Sequence, residues 1–212
     1  MRTSDVIYLF DPLCGWCYGA APMLDRLSAA GMRVELLPTG LFSGSGARPM
    51  DEGFAAHAWS NDQRIERLTG QPFTQAYQQN VLKARGTLLD SRAATLGISA
   101  AGLEDPSRRL TALKTIQRAR YVDGRDIVTV AGVAEALADA GMADVAAMLE
   151  APGEDLLAAD RELVSRGRAL FRRLHANGVP SLAVASNDMP RLIGSNALFG
   201  SFDNLVAHIE AA

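Results

Sequence analysis

The chain has 212 residues, 48% of them hydrophobic, enough for one large domain or for a domain carrying an insertion. Charged residues make up 21% and sum to a formal charge of only −3, which gives no electrostatic reason to expect nucleic acid or an anionic membrane as partner. The apolar runs are far shorter than the roughly 20 residues of a membrane-spanning helix. Asp5 interrupts the N-terminus too early for a signal-peptide core, so the sequence reads as cytoplasmic.

Residues 6–10, Val-Ile-Tyr-Leu-Phe, form a short apolar run ended by Asp11-Pro12, which predicts a buried strand and a turn. Residues 17–29 are helix-compatible and stop at Gly31, with a kink expected at Pro22, which removes a backbone donor and crowds the preceding turn. Residues 32–37 predict a second strand ended by Pro38, and the glycine-rich stretch 39–46 a loop leaving the sheet. From about residue 51 to 150 the composition turns to Ala, Leu, Arg, Gln and Glu. Helices are predicted over 52–68, 73–84, 91–101, 107–121, 127–140 and 143–149, with no strand signal between them. After Pro152-Gly153 come a long helix over 155–176, a strand over 181–185, a turn at 186–188, a strand over 190–194 and a closing helix over 202–210. Short strand, tight turn and short strand predict an antiparallel hairpin. The order is β-α-β, a helical block, then α-β-β-α. That is an α/β chain of thioredoxin order, with residues 1–50 and 151–212 as one domain and 51–150 as a helical insertion between the second and third strands.

The two cysteines, Cys14 and Cys17, sit three apart and could staple only a tiny loop, so a structural disulfide is not their role. Strand–CxxC–helix is a context with a chemical rationale. Cys14 at the first turn faces unpaired backbone N–H groups, which together with the helix dipole stabilise a thiolate. The thiolate attacks a substrate disulfide, and Cys17, one turn later on the same face, resolves the mixed disulfide. This makes Cys14 the exposed nucleophile and Cys17 the buried resolving thiol. Half of a zinc site is the competing reading, but zinc wants four ligands; no further cysteine exists, and His57, His175 and His208 form no paired spacing. Two buried cysteines without chemistry are the other alternative. Trp16, between the cysteines, is expected to offer substrate an apolar surface, whereas Trp59 reads as packing.

Gly178-Val179-Pro180 lies directly before the third strand of the sheet. Proline is confined to strand ends because it cannot donate to the ladder. A trans bond is the simplest reading; a cis Val179–Pro180 bond would set this turn against the CxxC and leave the Val179 backbone to pair with an extended substrate.

Asp11-Pro12-Leu13-Cys14-Gly15-Trp16-Cys17-Tyr18-Gly19, Gly178-Val179-Pro180-Ser181 and the segment Arg120 to Ile127 resemble the DsbA-like branch of the thioredoxin superfamily, and the likeness runs over nearly the whole chain. It is nearest to DsbA-family proteins of the disulfide-isomerase type. The resemblance implies a thioredoxin fold, a cis bond at Pro180, and exchange of disulfides with protein or small-thiol substrates by Cys14 and Cys17. It implies substrate contact at Trp16, Val179 and Pro180. No metal or organic cofactor is expected, and glutathione would enter only as a thiol substrate. Two departures stand out. Gly15-Trp16 replaces the Pro-His pair of periplasmic relatives and supplies no charge, so a less oxidising disulfide is expected. Tyr8 occupies the place, six residues before the first cysteine, where those relatives keep a buried acid. The chain also resembles 2-hydroxychromene-2-carboxylate isomerases and kappa-class glutathione transferases, which share the helical insertion. A glutathione-dependent isomerase or transferase, and a non-catalytic peptide-binding adaptor, are therefore the rival functions.

Overall fold

The computed structural model describes residues 6–84, 86–186 and 189–211. Strand β1 (Val6–Phe10) is central in a four-stranded sheet of order β2-β1-β5-β6. It pairs in parallel with β2 (Val34–Pro38) and antiparallel with β5 (Ser181–Val184), which pairs antiparallel with β6 (Arg191–Ile193). All five residues of β1 are buried. Val6, Tyr8 and Phe10 pack into the main core, while Ile7 and Leu9 meet Leu37 and Leu163 on the other face. A strand covered on both faces has no reason to alternate apolar and polar residues, hence its continuous apolar run.

The helix predicted over 17–29 is two helices, α1 (Gly15–Gly19) and α2 (Ala21–Ala29), joined at Ala20. Pro22 sits in the first turn of α2, where its missing N–H costs nothing, so the proline starts a helix rather than kinking one. Loop residues follow, with a short 3₁₀ turn at Gly44–Gly46. Then comes β3 (Arg48–Pro49), which pairs with β4 (Leu88–Leu89) in a two-stranded ladder. The sequence held no signal for it, because two residues are too few to show a period.

Between these short strands lie α3 (Glu52–Thr69), capped by the Asp51 carboxylate, and α4 (Gln75–Tyr77). Where one helix is predicted over 73–84, α4 instead opens into a π-helical turn at Gln78–Leu82. Helices α5 (Arg92–Ala101), α6 (Arg108–Tyr121), α7 (Val130–Asp139) and α8 (Ala143–Glu150) complete the helical segment. Thr129 caps α7, which sets its start three residues later than the sequence suggests.

The long helix α9 (Glu154–Arg173) returns over the sheet. Gly167 lets it lie close on β2, because a Cβ there would collide with the Pro38 carbonyl. Arg168 donates to the Thr39 carbonyl at 3.0 Å and so ties α9 to the loop leaving β2. The β5–β6 hairpin has the predicted antiparallel pairing; residues 187 and 188 of its predicted turn lie outside the described residues. Helix α10 (Phe202–Glu210) closes the fold with Leu205 and Ile209 in the core. Among the described residues no helix is long and apolar enough to cross a membrane.

Candidate active site

The end of β1 and the start of α1 are held by a buried carboxylate. Asp11 Oδ1 accepts from Leu13 N at 2.9 Å, and Oδ2 accepts from Phe42 N at 3.0 Å and Ser91 Oγ at 2.8 Å. One side chain thus joins the CxxC turn, the loop after β2 and the start of α5. Burial raises the Asp11 pKa, against three hydrogen bonds that favour the anion. From the other side the Tyr121 hydroxyl donates to the Leu13 carbonyl at 2.7 Å. Tyr121 belongs to an aromatic cluster with Tyr18, Phe73 and Tyr77 that packs the helical segment against α1.

Cys14 is the N-cap residue of α1, and Cys17 lies in its first turn. Both are free thiols. Cys17 is wholly buried, and Cys14, expected to be exposed, keeps only 8% of its surface. Burial, with the neighbouring Cys14 sulfur, pushes the Cys17 thiol well up. The Val179–Pro180 peptide bond is cis, and the Cys14 thiol donates to the Val179 carbonyl at 3.6 Å. The Val179 backbone expected to be free is therefore partly engaged by Cys14 itself. Tyr8 points its hydroxyl at the Cys17 carbonyl, 3.2 Å away, and burial pushes its own pKa well above the usual value. It can offer a hydrogen bond beside Cys17 but cannot hold a negative charge there near neutral pH.

Two recesses flank the site, and Trp16 lines both. One, about 620 Å³, runs along Gly178, Val179 and Pro180 to Asn196 and Phe199. Trp16 forms part of its wall, edge-on to Phe199 at 5.1 Å, with the Arg64 guanidinium 5.6 Å above its ring. The structure thus brings all five predicted site residues, Cys14, Trp16, Cys17, Val179 and Pro180, to one place. The second recess, about 440 Å³, opens between α1 and the helical segment and is lined by Cys14, Gly15, Trp16, Asp62, Tyr77 and Arg120 among others.

Sequence reasoning did not single out Asp62 or Tyr77, and it noted Arg120 only within a family-like segment. Asp62 is buried, accepts from the Tyr77 hydroxyl at 2.9 Å, and has its pKa raised to about 7 by burial. The signal was present: Asp62 falls on the α3 stripe that carries Trp59 and Ile65, three residues away on either side, where an apolar residue is the norm. Arg120 is also buried, lies 5.6 Å over the Tyr77 ring, and has an Nε without a hydrogen-bond partner among the described residues. Among the described residues no group of three His, Cys, Asp or Glu side chains could hold a metal ion.

A mixed sheet that sets a CxxC helix against a cis-proline loop defines the thioredoxin-type disulfide oxidoreductases. The chain belongs to the DSBA-like thioredoxin domain family, whose model matches residues 5–208. It is an enzyme of the DsbA-like disulfide oxidoreductase class. The cytosolic disulfide reductase DsbM from Pseudomonas aeruginosa is 32% identical, with a TM-score of 0.82 over 98% of this chain and 97% of that one. The same protein solved with glutathione (GSH) gives 32% identity and a TM-score of 0.80 over 98% of each chain. A putative protein disulfide isomerase from Nitrosomonas europaea, 23% identical, shares the fold with a TM-score of 0.78 over 99% of this chain and 97% of that one. No curated protein matches the sequence.

Proposed function

We propose that this protein reduces or isomerises disulfides of protein and small-thiol substrates by exchange through Cys14 and Cys17. The observation that carries the reading is the placement of Cys14: at the N-cap of α1, in hydrogen-bond contact with Val179 before a cis proline, with Cys17 one turn further and buried.

Cys14, as its thiolate, attacks one sulfur of the substrate disulfide. A Cys14–substrate bond forms, the substrate S–S bond breaks, and the departing thiolate takes up a proton. Cys17, kept protonated by burial until then, gives up its proton and attacks the Cys14 sulfur. The second substrate thiol leaves. The substrate is reduced by two electrons and the dithiol becomes the Cys14–Cys17 disulfide. Two thiol molecules restore it by the same exchange in reverse, becoming a disulfide themselves. Glutathione fits that part, which the glutathione-bound DsbM structure supports. The scheme needs no metal or organic cofactor. The groove at Trp16, Val179 and Pro180 holds the substrate chain, and residues 51–150, as an inserted unit, close the other side. A cytosolic setting is supported by the description of DsbM and favours reduction over oxidative folding.

The test is a redox titration in glutathione buffers, read by thiol alkylation and mass. A reversible Cys14–Cys17 disulfide should form at a potential nearer the roughly −270 mV of thioredoxin than the roughly −120 mV of periplasmic DsbA. Cys14→Ala should abolish exchange, and Cys17→Ala should accumulate a mixed disulfide with glutathione. Full exchange by Cys14→Ala would sink this mechanism. Tight glutathione binding without a reversible disulfide would point to a glutathione-dependent isomerase or transferase instead.

A further inference from the structure

The exchange scheme leaves one buried acid without a task. Among the described residues that line the second recess, Asp62 is the only carboxylic acid, and Cys14 forms part of the same wall. Only 5% of Asp62 is exposed. Oδ2 accepts from Tyr77, and Oδ1 abuts Gly15, the residue between Cys14 and Trp16, so closely that a Cβ there would collide with it. Gly19, one turn on, likewise leaves room for Ile65 of α3. The two glycines let α3 come down on α1, and this approach carries a carboxyl to the reactive end of the CxxC helix.

A disulfide substrate has two halves; the Cys14 thiol touches Val179, which lines the first recess, and Cys14 itself lines the second. The half held against Val179 and Pro180 is the one Cys14 bonds to. The other half then has the Asp62 recess to occupy, and its sulfur departs there as a thiolate. An alkyl thiolate is a poor leaving group unless it receives a proton, because its conjugate thiol is weakly acidic.

We propose that Asp62 is the proton donor to the departing sulfur. The carboxylate accepts the proton that Cys14 releases on becoming a thiolate, and the resulting acid returns it to the leaving thiolate as the substrate S–S bond breaks. One proton moves from Cys14 to the product thiol, and Asp62 ends as it began. The environment suits this. Burial brings the carboxyl to about 7, so both protonation states are present at neutral pH, where a general acid–base group works best. Tyr77 and Arg120 favour its carboxylate form and oppose the burial. Arg48, His57 and Tyr121 are the other titratable groups of the recess besides Cys14.

The inference rests on the exchange reading and is tested separately from it. Single-turnover reaction of Cys14 is followed with two probes, hydroxyethyl disulfide, whose leaving thiol needs a proton, and dithiodipyridine, whose leaving thiol does not. Asp62→Asn should lower the ratio of alkyl to aryl rates at pH 7 by about tenfold or more. A role in packing alone would slow both probes alike, and an unchanged ratio overturns the proposal. Tyr77→Phe removes a hydrogen bond that favours the carboxylate, so the pH limb belonging to Asp62 should move to higher pH; a limb that stays in place also overturns it. Failure of wild-type Cys14 to react with either probe counts against the exchange reading itself.

Discussion

Asp62→Asn also makes a stability prediction that needs no catalytic assumption. Burial raises the Asp62 carboxyl from 3.8 to about 7 in the folded protein. In the unfolded chain it titrates near 3.8. Between these values the folded state keeps a proton that the unfolded state has lost. The contribution of the neutral carboxyl to stability is therefore complete below about pH 4, declines as pH rises, and is gone above about pH 7. Each tenfold difference in proton affinity between the two states is worth about 1.4 kcal/mol, so the decline amounts to about 4 kcal/mol, of which about 3 falls between pH 5 and pH 8. Asparagine has no proton to lose. Its amide leaves one buried N–H₂ group to be satisfied, a cost of about 1–3 kcal/mol that does not depend on pH. The stability of Asp62→Asn relative to wild type should therefore improve by up to about 3 kcal/mol from pH 5 to pH 8. Asp11 and Asp160 are also raised by burial, but they titrate in both proteins and cancel. Urea denaturation of both proteins at the two pH values measures the difference. A difference that is the same at both, or that moves toward wild type at pH 8, refutes the reasoning.

Two further predictions concern how the site is held. Asp11→Ala strands three donors, Leu13 N, Phe42 N and Ser91 Oγ, and should cost about 3–5 kcal/mol in urea denaturation; a loss under about 1 kcal/mol would show that the carboxylate does not organise the CxxC turn. Gly167→Ala meets the fixed Pro38 carbonyl, whereas Gly19→Ala meets the Ile65 side chain, which can turn aside. The first should cost about 2–3 kcal/mol and the second about 1 kcal/mol, and equal denaturation midpoints for the two variants contradict the packing described.

The sheet and the dithiol are legible in the sequence because their signals are local. A continuous apolar run marks β1, whose observed bounds are those predicted, and the helix predicted over 202–210 is α10. Cys14, Cys17 and the proline before β5 stand out as residue types at fixed spacing, whatever the rest of the chain does. Local rules fail where a neighbour in space decides. Pro22 reads as a kink because sequence does not show that α1 ends before it. The π-helical turn at Gln78–Leu82 also escapes local rules, next to a helix start where Thr74 Oγ1 donates to the Val122 carbonyl at 2.6 Å. Gly124, at positive φ, lets the chain after α6 come close to the backbone at Ala76, a contact no spacing rule records.

The sequence by itself determined the fold class and the cysteine pair at a helix start, since local patterns carry both, whereas the cis bond that sets the Pro180 turn against Cys14 followed only from the family resemblance. Tertiary structure alone decided what surrounds Cys14. Asp62, Tyr77 and Arg120 come from three separate helical stretches and line one recess with Cys14, Asp62 because Gly15 and Gly19 admit α3 so closely. A carboxyl at position 62 reads as an ordinary charged residue until burial removes its water. That loss of solvation, which no local pattern encodes, turns it into a group that holds its proton near neutral pH.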